Sequence, residues 1–455
     1  MGYARVNIED VCDPLNIQRA VRRVGVKNGA AGIDGVIARD PRLRSRAFLF
    51  KTIESITRGD YRPSPTKRVA IAKSGGGHRL LGIPTVRDRV TQQAVAQVLG
   101  PVLERLSSEF SFAYRRGRGP ADAVRTVRSY AQSGCPVVAD LDIVGCFDHL
   151  PHRLILDQLS PLVDGAILDL VQRFLKSGIR VGGKYLPSDE GTPQGGPLSP
   201  QLCNVALGPL DRQLEAEGLR FVRFADDIKI LMESETAAMD VVRWLTDYLL
   251  RDFNLRVHPL IKEDGTQGKS KVIGIHDADI LGFSILPNWE LTVAERRIPF
   301  LKLKLVHTLR IQKDFPTWDS RLEKLNKCIR GWIQYYDRHA YIPLSMLIEL
   351  DEALLEQVRI SHANRYRAIT GLRSENAHVP ERQKADPAGW RIKVLHALGI
   401  YGFLETASMG SNRFGSIACP PGLGDVVNAV PHIVNRVAAN SGGGQSSGRA
   451  FSSNW

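Results

Sequence analysis

Cysteine is scarce in this chain, and none of it is paired. Cys12, Cys135, Cys146, Cys203, Cys328 and Cys419 are scattered singly along 455 residues, with no C-x-x-C among them. This excludes the usual structural zinc site and the disulfide-stapled class, and predicts reduced thiols in small apolar positions. Long apolar runs are also missing, so no membrane partner is expected. Met1-Gly2-Tyr3-Ala4-Arg5 contains no apolar leader core, which predicts a cytoplasmic protein. Lys73 and Gly75-Gly76-Gly77 invite a phosphate-loop reading. No Gly-Lys-Ser/Thr opens a helix there, however, which excludes a nucleoside triphosphatase of that type. No His-Asn-His or cysteine-rich nuclease signature occurs in the C-terminal part, so no DNA endonuclease is expected.

Positive charge, by contrast, is abundant. The net charge is +13, and residues 1–135 alone hold 24 Lys and Arg against 11 Asp and Glu. A surplus concentrated in one segment points to a polyanionic partner. With 43% hydrophobic residues, a chain of 455 residues can bury two or three cores.

Acidic residues are concentrated in fewer places. Phe224-Ala225-Asp226-Asp227 lies between two apolar runs, Leu219–Phe224 and Ile228–Met232, that read as short strands. The pair should therefore sit on a tight hairpin, where two anions repel each other unless they share a cation. An Asp-Asp pair alone is a commonplace turn element. Upstream, Pro136–Ile143 is an apolar run in which Asp140 and Asp142 recur at period two, placing both on one face of a strand. Between these sites comes Gly191-Thr192-Pro193-Gln194-Gly195-Gly196-Pro197-Leu198-Ser199-Pro200, a loop followed by a helix with Ser199 as expected N-cap and Pro200 at its first position. Glycines at this density let backbone approach a ligand closely.

In this order the three blocks resemble the palm of group II intron-type reverse transcriptases. That family shows an acidic strand D-I-x-x-x-F-D, a T-P-Q-G-G-x-L-S-P loop into a helix, and an aromatic-Ala-Asp-Asp hairpin. The resemblance extends over roughly residues 30–370, through Ala31–Gly35, Tyr61–Arg89, Phe112–Gly119, Leu281-Gly282-Phe283 and Gly331-Trp332-Ile333-Gln334-Tyr335-Tyr336. It implies an α+β right-hand polymerase fold followed by an α-helical thumb. The implied activity is RNA-directed DNA synthesis from dNTPs onto the 3′-hydroxyl of a DNA or RNA primer on an RNA template.

Carried over residue by residue, the resemblance makes Asp142, Asp226 and Asp227 the catalytic carboxylates. With the Ile143 carbonyl, these would hold two Mg²⁺ ions, which suit hard oxygen ligands. Asp140 shares the strand face of Asp142 but lies outside the D-I-x-x-x-F-D spacing. Phe147 takes the place of the aromatic gate against a ribose 2′-hydroxyl, and Asp148 is expected to cap the following helix. Gln194 and Gly195 would contact the incoming nucleotide, and Arg68, Lys73 and Arg79 its triphosphate. Arg115, Arg116 and Arg118 would contact nucleic acid. Lys269 and Lys271 are both placed to protonate pyrophosphate. Two departures stand out: Ala72 precedes Lys73 where the family has Pro, and Phe224 replaces the commoner Tyr.

Four segments are expected. Residues 1–135 form an N-terminal segment and fingers, with a hairpin over 68–83 and a helix over 86–99. Residues 136–290 form a palm with an antiparallel sheet. Residues 296–373 form a helical thumb or maturase-like domain, in which Trp318, Leu322, Leu325, Ile329, Trp332 and Tyr336 mark an apolar stripe and a further helix covers 344–370. Its outward Lys324, Lys327 and Arg330 would track a nucleic-acid backbone. Residues 374–455 form an extension of no assignable role, with Gly- and Ser-rich 440–455 disordered. Two other roles fit the same motifs: an RNA-binding maturase with an idle polymerase site, and a domesticated enzyme of anti-phage defence with a cognate structured RNA. Phe147 and the acidic triad argue against an RNA-dependent RNA polymerase and against a pure binder. Oligomeric state is not written in these motifs.

Overall fold

Alternation of apolar and acidic residues over 137–142 produces the strand around which the acidic cluster is built. The computed structural model describes residues 5–72, 78–193, 195–262, 265–310, 317–362, 394–396 and 398–410. The chain divides into two compact units, Met1–Leu281 and Gly282–Trp455.

In the first unit, helices α1 (Ile8–Cys12), α2 (Pro14–Lys27) and α3 (Arg46–Thr57) precede a hairpin of β1 (Thr66–Ala72) and β2 (His78–Ile83). Next come α4 (Val86–Leu106), α5 (Pro120–Gln132), β3 (Val137–Asp142), α6 (Cys146–His149), α7 (His152–Leu159) and α8 (Gly165–Leu175). A second hairpin pairs β4 (Ile179–Val181) with β5 (Lys184–Leu186), and α9 (Ser199–Ala216) leads to β6 (Arg220–Phe224) and β7 (Asp227–Met232). The unit closes with α10 (Glu235–Phe253) and β8 (Lys271–Gly274). Helix α4 outruns the expected 86–99 and passes through Pro101. Burial of Leu99 and Val102 on one face offsets the hydrogen bond that the proline omits.

The hairpin strands make two four-stranded sheets. One has the order β2-β1-β4-β5, with β1 and β4 parallel. The other is wholly antiparallel, in the order β6-β7-β3-β8. Residues opposite each other in such a ladder point to the same side. Leu141, Ala139, Ile228, Ile230 and Phe221 therefore fill one face, in a continuous core with Val242, Leu245 and Leu249 of α10. The opposite face buries Val138 and Leu231 at one end and Val222 in the row of Lys229, and α5 packs on β6 and β7. Its other end carries Asp142, Asp227, Asp140 and Lys229.

Helix α9 begins at Ser199, one residue earlier than an Ser199 cap requires. Leu198 is the N-cap, and the Ser199 hydroxyl donates to the Pro193 carbonyl instead (2.8 Å). Asp148 likewise caps no helix. It lies inside α6 and pairs with Arg68 at 2.7 Å, because a partly buried guanidinium is the stronger partner for its charge.

The second unit opens with a hairpin of β9 (Phe283–Ile285) and β10 (Leu291–Val293). Helices α11 (Ile298–Leu309), α12 (Trp318–Tyr336), α13 (Leu344–Ser361) and α14 (Phe403–Gly410) follow. α11 packs on α12 and α13, and α14 covers those same two helices. The buried stripe of α12 is Arg321, Leu325, Ile329, Ile333 and Tyr336. Trp318, Leu322 and Trp332 are half-buried flanks, with Trp332 edge-on to Phe403 at 5.4 Å. The helix expected over 344–370 is described to Ser361, and the 440–455 tail lies outside the described residues. Among the described residues no helix is long and apolar enough to cross a membrane.

Candidate active site

Asp142 and Asp227 face each other across β3 and β7 as register partners. Asp226 occupies the two-residue turn between Phe224 and Asp227, which are themselves paired. The three residues thus lie at one end of the sheet, where the resemblance implied them. Asp142 is tied through its own backbone. Its N–H donates to the Ser270 hydroxyl (3.2 Å), and its carbonyl accepts from the His258 N–H (2.8 Å). Ile143 is buried and bridges to Val257.

The turn is held in a conformation that its sequence would not choose. Ala225 has φ +61°, a left-handed value that costs an alanine on the order of 1 kcal/mol. Arg223 reaches forward under the turn and donates to the Ala225 carbonyl at 3.0 Å. The same guanidinium grips both oxygens of Asp211 in α9 and the Asn204 side-chain oxygen at 3.0 Å. Asn204 in turn donates to the Ala113 carbonyl (2.9 Å). Backbone bonds join Arg223 to Phe110 and Phe112 on its free edge. The hairpin is therefore fastened to α9 and to the 110–113 segment together.

Two lysines approach the carboxylates. Lys229, 5% exposed, stands opposite Asp140 and one repeat beyond Asp227 on the same face, and its ammonium bonds to both. Burial would lower its pKa, but Asp227 and Asp140 on either side raise it more, and it stays above its ordinary value and charged. Lys269, of the two lysines proposed for pyrophosphate, has its ammonium 3.4 Å from Asp142 and 2.9 Å from the His258 ring. Lys271 sits in β8 opposite Asp140, one row further from the turn. Among the described residues, no three acidic, histidine or cysteine groups converge on one point. Lys229 ties Asp140 to Asp227, and Lys269 stands beside Asp142. Hard oxygen donors crowded at one sheet end, with cations already drawn to them, nevertheless fit a divalent ion in chemistry and charge.

Gly195, at φ +130°, presses on the Gly82 carbonyl of β2, and any Cβ would collide there. A Cβ on Gly82 would in turn meet Thr66 and Pro193 at 2.7 and 3.1 Å. This double glycine contact seats Pro193 and Gly195 on the β2-β1-β4-β5 sheet. Beside it opens a cleft of about 200 Å³, lined by Phe147, Asp148, Arg68, Leu80 and Thr192. Phe147 is half-buried and faces this cleft, while Arg68 is engaged with Asp148. Lys73 and Gln194 lie outside the described residues, as does the side chain of Arg79.

The arginines of the 115–118 segment differ in use. Arg115 is 6% exposed, with its guanidinium spent on Glu104 (2.7 Å) and on the Ser108 and Ser111 carbonyls. Its expected role as a nucleic-acid contact is thus replaced by an internal one. Arg116 is exposed, and Arg118 lies over the Phe112 ring at 5.5 Å. In the second unit Lys327 and Arg330 are exposed and Lys324 is half-buried. Cys146 and Cys203 are buried together. Their mutual hydrogen bond, then burial and nearby Asp226, push the Cys146 thiol well up, so it is inert. Cys12 and Cys135 are free and buried too, Cys328 is half-buried, and Cys419 lies outside the described residues.

Residues 71–267 match the reverse transcriptase (RNA-dependent DNA polymerase) family. The chain is 34% identical over 175 residues to the group II intron-encoded protein LtrA of Lactococcus lactis subsp. cremoris, covering 38% of this chain and 29% of LtrA. It is 32% identical over 188 residues to protein YkfC of Escherichia coli, covering 40% of this chain and 49% of YkfC. It is 29% identical over 171 residues to a putative COX1/OXI3 intron 2 protein of Saccharomyces cerevisiae, covering 37% and 20%. The matched stretch spans less than half the length of each of these relatives.

Proposed function

We propose that this chain, whose residues 71–267 match the reverse transcriptase family, is an RNA-directed DNA polymerase of the group II intron type. The first unit is the fingers and palm of a right-hand polymerase. The observation that carries the reading is the Asp142–Asp227 cross-strand pair with Asp226 on the adjoining turn. A protein that only bound RNA would gain nothing from three clustered carboxylates beside phosphate.

Asp142, Asp226 and Asp227, with the Ile143 carbonyl, would hold two Mg²⁺ ions. When bound, these ions neutralise charge on the primer 3′-oxygen and on the leaving pyrophosphate. Phe147, facing the cleft, fills the space that a ribose 2′-hydroxyl would need, and so selects dNTPs. The Thr192–Gly196 loop positions the nucleotide against its template base. Lys269, 3.4 Å from Asp142, is the better of the two lysines to hand a proton to pyrophosphate. Arg116 and Arg118, with Lys324, Lys327 and Arg330, neutralise template and primer phosphates. These basic residues, in a chain similar to intron-encoded proteins, would also suit a splicing role on a structured RNA.

Primer extension tests the reading directly. The purified chain should extend a labelled DNA primer on an RNA template with dNTPs and Mg²⁺, in template order. Failure on both RNA and DNA templates, with bound primer–template demonstrated, would overturn it.

A further inference from the structure

Lys229 has no place in the motif that marks this site. It is nonetheless the most deeply buried cation on the carboxylate face. Its ammonium bonds to Asp140 at 2.6 Å and to one oxygen, Oδ1, of Asp227. Asp140 lies outside the metal-ligand set, yet it shares the face and row that Lys229 occupies. Four aspartates, Asp140, Asp142, Asp226 and Asp227, thus share one sheet end with Lys229. Lys269 is exposed and on a loop, and Lys271, opposite Asp140 in β8, is half-buried.

The geometry points to Lys229 as a resident counter-cation of the metal site, a positioning residue that acts through Asp227. It takes one oxygen of Asp227, leaves the other for a divalent ion, and keeps the carboxylates assembled when no ion is bound. Because two like-charged partners compete for one carboxylate, assembly without metal is gained at the expense of metal affinity. This inference rests on the divalent-metal reading above. It adds that the chain itself supplies part of the charge that the ions supply elsewhere in the cycle.

The test compares the full chain with Lys229→Met and with Lys229→Met/Asp140→Asn. Unfolding midpoints are measured in EDTA and in Mg²⁺, and Mn²⁺ binding is followed by electron paramagnetic resonance. The single variant should unfold at lower temperature than wild type in EDTA, and should gain more from Mg²⁺. Its half-saturating Mn²⁺ concentration should fall on the order of tenfold. Removing one member of a buried pair can unfold a protein, whereas removing both leaves no buried unpaired charge. The double variant therefore folds, and since Asp227 is still released it should show the same tighter Mn²⁺ binding. Equal Mg²⁺ shifts and equal half-saturation in all three proteins would make Lys229 an ordinary core ion pair and overturn the inference. Weaker Mn²⁺ binding in both variants would overturn it as well. A wild-type chain that responds to neither ion would instead bring down the metal reading beneath it.

Discussion

Arg223 and Asp211 are joined by hydrogen bonds of 2.6 and 2.5 Å, and each is at most 2% exposed. The pair lies beneath the Ala225-Asp226 turn, and its guanidinium is also what holds the Ala225 carbonyl. Stability and geometry can be separated here. Arg223→Met alone leaves Asp211 buried and unpaired, and should cost about 3–5 kcal/mol. Arg223→Met/Asp211→Leu replaces both charges by apolar groups and should recover most of that loss in denaturant unfolding. Primer extension should stay impaired in the double variant, because nothing then fastens Ala225 at its left-handed φ. A double variant that is both stable and fully active would show that the turn needs no such anchor.

Asp226→Asn should lower DNA synthesis by on the order of 10³ while folding and nucleic-acid binding persist. One negative charge is removed from a crowded end of the sheet, so the unfolding temperature should hold or rise. Single-turnover extension on a primed RNA template measures the first effect, and a thermal melt the second. Extension near the wild-type rate would remove Asp226 from the metal-ligand set.

Phe147→Ala should admit ribonucleotides. Phe147 borders the cleft rather than lying wholly in the core, so truncation opens space beside the expected sugar position. The preference for dNTPs over rNTPs should fall by about 10–100-fold, with dNTP incorporation much less affected. An unchanged ratio in parallel extension assays would assign Phe147 to packing alone.

Much of this site was legible in the sequence because its motifs resemble those of a known family, while period-two alternation assigned only the strand faces. Asp142 and Asp227 could be assigned from D-I-x-x-x-F-D and the Asp-Asp hairpin, and the register brings them opposite each other. Lys229 was within reach of the same rule, since it follows Asp227 by two on one strand. Its partner Asp140 needed the register of β3 against β7, which no single strand contains. Arg223 and Asp211 were hidden for a different reason. They sit on a strand and a helix separated by a turn, and burial of a charged pair leaves no local signal. Ser199 and Asp148 read as helix caps from their neighbours, but tertiary partners, the Pro193 carbonyl and Arg68, won the competition for their side chains. Arg115 looked like a phosphate ligand by segment, yet Glu104 and two carbonyls absorb its donors. On α12, counting apolar residues selected the tryptophans, whereas the 3.6-residue period rotates Arg321 and Ile333 into the buried stripe.

The basic face of α12 gives the last prediction. Lys327 and Arg330 are exposed and Lys324 half-buried, between the core positions Leu325 and Ile329 of the same helix. If this face grips a template–primer duplex through phosphates, affinity must fall steeply with salt, because each neutralised phosphate releases counterions. Changing Lys324, Lys327 and Arg330 together to Ala should weaken binding on all sequences alike. It should also flatten the slope of log affinity against log salt by up to about three. Stability should change by about 0.5 kcal/mol or less for each exposed position, because the buried stripe is untouched. Fluorescence anisotropy over a salt series, with several unrelated duplexes, measures both slope and sequence dependence. A loss confined to one structured RNA, with general duplex affinity and salt slope intact, would contradict the grip and make α12 a reader of that RNA.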